Sequence, residues 1–313
     1  MKVKLHIENF GDWNVHVPPN PEVHDFFHGD DDCDIHIFED NNLKKHVNYD
    51  GKIKIAWIRE VEDIYDYACV FQENPYNPYQ YVFDNIDSFD YVIAPIAYRY
   101  FSHLIPEDKF MFCPGGCTRI LPEQWGMYEK NKPLSIVASG KDWTVGHRMR
   151  HWAINSFKDH MEIFGNGYNT IIDSQGNFGK VYGLAAFHFH FVIMNSQKDS
   201  WYTEALIDSF ACGCIPIFFG CKDIGNHFNI DGIIQFDSLP QLAKIIPTLT
   251  PELYNSKLEA VKENMDIKDL NQITQYFVQY KEDEQRGQMF FHKENDNFMI
   301  IITPDKELYQ LNT

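Results

Sequence analysis

The chain has 313 residues, enough for one large or two ordinary domains, and its 44% hydrophobic and 15% aromatic content can build full cores. A formal charge of −18 argues against a nucleic-acid partner, which needs clustered Lys and Arg, and against an anionic membrane surface. A carbohydrate acceptor is compatible with the charge, and aromatic side chains suit the faces of sugars.

Alternation over residues 3–7 predicts a strand at the start of the chain rather than a signal peptide. Residues 11–29, rich in Pro, Asn and Asp, hold no clear period and predict a loop. A second strand is predicted over 33–38. Asp30, Asp31 and Asp32 precede it, whereas a metal-binding Asp-x-Asp motif follows a strand, so they read as a solvated acidic turn. A third strand, over 52–58, is followed by Glu60. A carboxylate at the carboxyl end of a parallel strand faces a ligand crevice and can take a proton from a hydroxyl; Glu62 and Asp63 are close rivals. Strands are predicted over 91–94 and 109–112, the latter leading to a Pro114-Gly115-Gly116 turn. Residues 121–133, with two prolines, Gly126 and several charges, predict a linker between domains.

The second half opens with a strand over 134–138, then Lys141, Asp142, Trp143 and Thr144, and a helix over 146–159. His147, Arg148, Arg150 and His151 crowd its first turns. Basic groups there oppose the helix dipole unless an anion sits among them, which marks a candidate phosphate site. His147 and His151 are four apart but lack the glutamate of a zinc HExxH motif. A strand over 161–164 ends in Gly165-Asn166-Gly167, and a short helix over 179–186 precedes an aromatic and β-branched strand over 187–194. After a polar turn at 195–200, the period becomes helical from Thr203 and ends at Gly213; the apolar run 214–219 fits a buried parallel strand. Such a strand–helix–strand unit puts Trp201, Tyr202, Thr203 and Glu204 at the carboxyl edge of a sheet. Glu204 reads either as a first-turn dipole partner or as an acceptor for ligand hydroxyls. Beyond it come a strand over 233–236, helices over 239–248 and 251–265, a long amphipathic helix over 270–284, and a tail over 289–303 that alternates like a hairpin.

Residues 187–236 resemble the donor-binding signature of the α-1,3/4-fucosyltransferase family. The matching residues are Asn195-Ser196, Tyr202-Thr203-Glu204, Asp208, Ile215-Pro216-Ile217 and Gly220, with Phe236-Asp237-Ser238 beyond; the family lysine after the glutamate is here Ala205. The resemblance implies an α/β GT-B fold of two Rossmann-like domains facing a central cleft. They would be an acceptor-side domain over 1–128 and a nucleotide-sugar domain over 129–284, whose last helix returns to the first, followed by a β-like tail over 285–313. The implied reaction is inverting transfer of fucose from GDP-fucose to a hydroxyl of a glycan acceptor, with no essential metal. Glu60 would be the base, Arg148 the pyrophosphate ligand with Arg150 as alternate, and Glu204 the partner of donor hydroxyls. Lys141, Trp143, Gly165, Asn195, Tyr202, Thr203 and Lys222 would complete the substrate site. Lys141, Arg150 or Lys222 would fill the charge gap left at Ala205. A transferase of another nucleotide sugar, or a binding protein without catalysis, are the rival readings.

Seven cysteines, an odd number scattered through apolar segments, fit buried free thiols in a reducing compartment. No apolar run reaches the ~18 residues of a membrane span, so the chain is expected to be soluble and cytoplasmic.

Overall fold

The computed structural model describes residues 3–6 (backbone alone for 3–5), 35–71, 76–115, 118–120, 124–165, 168 and 179–266, and the backbone of short strands between 279 and 310. The predicted 11–29 loop, the Asp30–Asp32 turn and the 166–167 glycine turn lie outside these residues. The chain divides into two compact units, one of residues 1–117 with 268–313 and one of residues 118–267.

In the first unit, β1 (Val3–His6), β2 (Ile35–Glu39), β3 (Ile53–Trp57), β4 (Tyr91–Ala94) and β5 (Phe110–Phe112) form one parallel sheet in chain order. Ile37, Phe38, Ala56, Val92 and Ile93 are wholly buried, as the apolar runs of a parallel sheet require. Helices α1 (Glu62–Phe71) and α2 (Pro78–Asp84) lie between β3 and β4. Helix α2 starts where the Asn77 side chain accepts the Tyr79 and Gln80 N–H groups, with Pro78 at the first helical position.

The second unit holds β6 (Lys132–Ala138), β7 (Glu162–Gly165), β8 (Phe187–Ile193), β9 (Ile215–Phe219) and β10 (Ile234–Gln235). All are parallel, in the order β10-β9-β8-β6-β7, so the winding reverses between β6 and β8. Helix α3 (Val145–Phe157) joins β6 to β7, and α4 (Glu204–Ala211) joins β8 to β9. Helices α5 (Leu239–Ile245) and α6 (Pro251–Met265) follow β10. Gly213 ends α4 as expected: at φ +67° it donates its N–H to the Phe210 carbonyl at 2.8 Å, and Cys214 bonds back to Ser209 at 2.8 Å.

Two expectations differ from the structure. The segment read as a linker is part of the second unit. Trp125 and Tyr128 pack against Ile120, Val181, Leu184, Ala211, Cys212 and Cys214, and the Gly126 N–H bonds the Ala211 carbonyl at 2.9 Å. The prolines and charges concealed an aromatic anchor. The end of the expected amphipathic helix is instead a strand: Gln279–Lys281 pairs antiparallel with Glu284–Arg286, setting Lys281 opposite Glu284. In the tail, His292–Lys293 and Phe298–Ile302 pair antiparallel, as a hairpin should. No described helix is long and apolar enough to cross a membrane.

Candidate functional site

Open parallel sheets bind ligands beyond the carboxyl ends of their strands, where the winding reverses. In the second unit that point lies between β6 and β8. The N-terminus of α3 comes up against the end of β8 there because residue 146 is glycine. A Cβ on it would lie 1.8 Å from the Met194 carbonyl oxygen, and the Gly146 N–H bonds the Asn195 carbonyl at 3.2 Å. In the second turn of α3, Arg150 spans the switch point. Its guanidinium donates to the Ile193 carbonyl at 2.8 Å and to Ser139 Oγ at 3.4 Å. Burial lowers the pKa of Arg150, and the Glu204 carboxylate acts against that shift.

Glu204 is the first residue of α4, whose N-cap Thr203 accepts the Ala205 N–H. Burial pushes the Glu204 carboxyl up, but Arg119, Lys180, its own backbone N–H and the Thr203 hydroxyl pull harder, and it ends below its ordinary value. Arg119 Nη2 lies 3.4 Å from Glu204 Oε1. One turn along α4, fully buried Asp208 binds the Arg119 N–H at 2.6 Å and Thr118 Oγ1 at 2.7 Å on one oxygen, and Lys180 Nζ at 2.6 Å on the other. Three cations from distant segments thus gather around two carboxylates.

The basic start of α3 is less cationic than its sequence. His147 is a cap: its Nδ1 accepts the Thr144 N–H at 3.3 Å, while Thr144 Oγ1 accepts the His147 N–H at 3.4 Å. Burial, then Arg150, Lys141, His151 and Arg148, lower its pKa to about 3, so it is neutral at pH 7. His151 Nε2 bonds the Lys141 carbonyl at 2.9 Å. Arg148 is exposed and donates to the Asp142 and Trp143 carbonyls at 3.4 and 3.3 Å. Lys141 is exposed and stacks over Trp143 at 4.8 Å.

No protein-family model and no curated protein matches the sequence. Solved structures do. A crystal structure of an α1,3-fucosyltransferase superposes on 76% of this chain and 72% of its own, with TM-score 0.50 and 16% identity. One of TarM superposes on 75% of this chain and 51% of its own, with TM-score 0.51 and 12% identity. An α1,3-fucosyltransferase holding GDP-fucose covers the same 76% and 72% at TM-score 0.47. The fold is that of the GT-B glycosyltransferases.

The remaining predicted residues of the second unit are placed as follows. Tyr202 is buried against His227 and Phe228. Asn195 Oδ1 accepts the Trp201 Nε1–H at 2.7 Å. Gly165 sits at φ +115°, where a Cβ would meet the Ala138 carbonyl at 2.0 Å. Lys222 is exposed in the turn after β9. The 195–203 turn is further held by Asp223, which accepts the Ser200 N–H at 2.7 Å and its hydroxyl at 2.9 Å. None of Arg119, Lys180 and Thr118 was a candidate from sequence; only the buried Asp208 required partners of their kind.

At the carboxyl edge of the first unit, Glu60 follows β3 and is half-buried. Its N–H donates to Tyr65 Oη at 3.3 Å, and its carbonyl accepts from Tyr79 Oη at 2.8 Å. The neighbouring strand adds Glu39, buried and ion-paired with Arg59, and Asp40, whose Oδ1 accepts the Arg59 N–H at 3.1 Å. Burial first, then the Asp40 and Glu60 carboxylates, push the Tyr65 phenol well above its ordinary pKa. Asp40 was not singled out from sequence, although it ends the Ile35–Glu39 strand much as Glu60 follows its own.

Proposed function

We propose that the chain is an inverting glycosyltransferase that moves fucose from GDP-fucose to a sugar hydroxyl. The observation that carries this is the cation cluster at the winding reversal of the second unit, with Glu204 in its midst, on a GT-B fold. A nucleotide diphosphate needs positive groups at such an edge, and Arg150 offers donors in a partly dehydrated setting where they count most. Glu204 is a carboxylate held ionised, suited to accept hydrogen bonds from donor hydroxyls. In the reaction the acceptor oxygen attacks the anomeric carbon from the face opposite the diphosphate. The bond to the diphosphate breaks, that group leaves with the electron pair, and a carboxylate takes the acceptor proton. Glu60 is assigned that last role. Because side-chain cations compensate the leaving group, transfer is expected to proceed without added divalent metal.

Calorimetry and a product assay test this. GDP is expected to bind and to raise the melting temperature by mass action, while UDP and CMP do not. Product is expected with GDP-fucose and a glycan acceptor in the presence of EDTA. Selective binding of UDP would replace the donor assignment. Ala205 favours that second reading, another nucleotide sugar, because the family lysine is missing beside the diphosphate.

A further inference from the structure

We infer that Arg119 supplies the diphosphate-binding cation for which position 205 offers only a methyl group. The inference rests on the nucleotide-sugar reading above and names the residue that makes it chemically complete. Arg119 reaches the start of α4 from a segment 89 residues earlier than Asp208. Its main chain is fixed there, since its N–H and the neighbouring Thr118 hydroxyl both end on Asp208 Oδ1, while Lys180 neutralises Oδ2. Its guanidinium is not sealed in: the side chain is 35% exposed while lying 3.4 Å from Glu204. An anchored backbone with a partly open head is the arrangement for meeting a ligand.

Charge points the same way. Lys180 and Asp208 cancel, and His147 is neutral. Two guanidinium groups, those of Arg119 and Arg150, thus act on the Glu204 carboxylate. A planar guanidinium has donors enough to hold Glu204 on one edge and a phosphate oxygen on another, which a lysine ammonium does less well. The other cations are less suited. The Lys180 ammonium is buried against Asp208, Lys141 lies on Trp143, and Lys222 is exposed in its turn.

The test is calorimetric titration of GDP and of guanosine into wild type, Arg119→Ala, Arg119→Gln and Arg119→Ala/Ala205→Lys, with thermal unfolding alongside. Arg119→Ala and Arg119→Gln are expected to weaken GDP about tenfold and guanosine less than about twofold, the mark of one lost charge-assisted contact to phosphate. Adding Ala205→Lys is expected to restore most of the GDP affinity. Arg119→Gln keeps much of the side chain's bulk, and either variant preserves the N–H that anchors the segment. Wild-type GDP affinity in both variants, or equal losses for GDP and guanosine, would overturn the inference while leaving the donor reading intact. If wild type binds neither GDP nor UDP, the donor reading falls, and this inference with it.

Discussion

The two units end their parallel strands in charged edges of opposite character. The first collects acid: Glu39, Asp40 and Glu60 with Arg59 beside them. The second collects base: Arg119, Arg150 and Lys180 around Glu204 and Asp208. Their windings differ in step. Strands in chain order carry each crossover to the next position without a reversal, and the acidic groups come from the two adjacent strand ends of β2 and β3. The second sheet reverses, and α3 packs with α5 while α4 packs with α6. Loops diverge at that reversal, so residues far apart in sequence can be brought to one spot. The contrast teaches that a cluster of carboxylates can come from local strand ends, whereas a cluster of cations from distant segments is assembled by topology.

The largest expected effect tests whether the basic edge is held by its buried pair. Asp208→Ala leaves Lys180 in the interior without its counter-ion, which should cost about 3–5 kcal/mol of stability in urea denaturation. Pairing it with Lys180→Met should recover a large part of the loss. Unchanged stability in Asp208→Ala would show that the cluster is not a structural unit.

The acidic edge is tested by activity. Glu60→Gln should lower turnover by ~10²-fold while GDP affinity is kept, and Asp40→Asn should have a smaller effect. Near wild-type turnover in Glu60→Gln with a collapse in Asp40→Asn would move the base to Asp40. Loss of GDP affinity in either would end the division of labour between the edges.

Next in size is the distinction between two arginines two residues apart. Arg150→Ala should weaken GDP about tenfold, as loss of a charge-assisted contact in a partly buried setting does. Arg148→Ala, removing an exposed group over loop carbonyls, should change it less than about twofold. The reverse ranking would return the diphosphate role to Arg148, the position that resemblance favoured.

What the sequence discloses follows the same contrast. Tyr91–Ala94 and Pro251–Met265 match their predicted bounds because each is set by local signals, a β-branched run in one and Thr250 before Pro251 in the other. The place of Glu60 was legible for the same reason, since it follows an apolar strand. The partnership of Lys180 and Arg119 with Asp208 was not, since they lie 28 and 89 residues from it. His147 was read as one of four basic groups because its spacing to Thr144 fits a capping box but its residue type does not. Charge counted along a helix overstated the charge that the fold retains.

That last point yields the smallest effect and the finest test of the basic edge. The folded-state pKa of His147 is about 3 against an ordinary 6.5, with Arg150, Lys141, His151 and Arg148 adding to the shift that burial begins. Above pH 6.5 the ring is neutral folded or unfolded and costs nothing. As pH falls below 6.5 the unfolded chain takes up a proton that the folded chain refuses, so stability falls through the window from 6.5 to about 3. The slope is at most about 1.4 kcal/mol per pH unit for one group. Glutamine at this position can still accept the Thr144 N–H, completing the box without titrating. His147→Gln should therefore match wild type at pH 7 within ~0.5 kcal/mol, near the scatter of single substitutions, and become the more stable of the two as pH falls toward 4. Parallel stability curves for the two proteins between pH 7 and 4 would mean that His147 is protonated in the fold, and that the start of α3 carries the extra charge its sequence suggests.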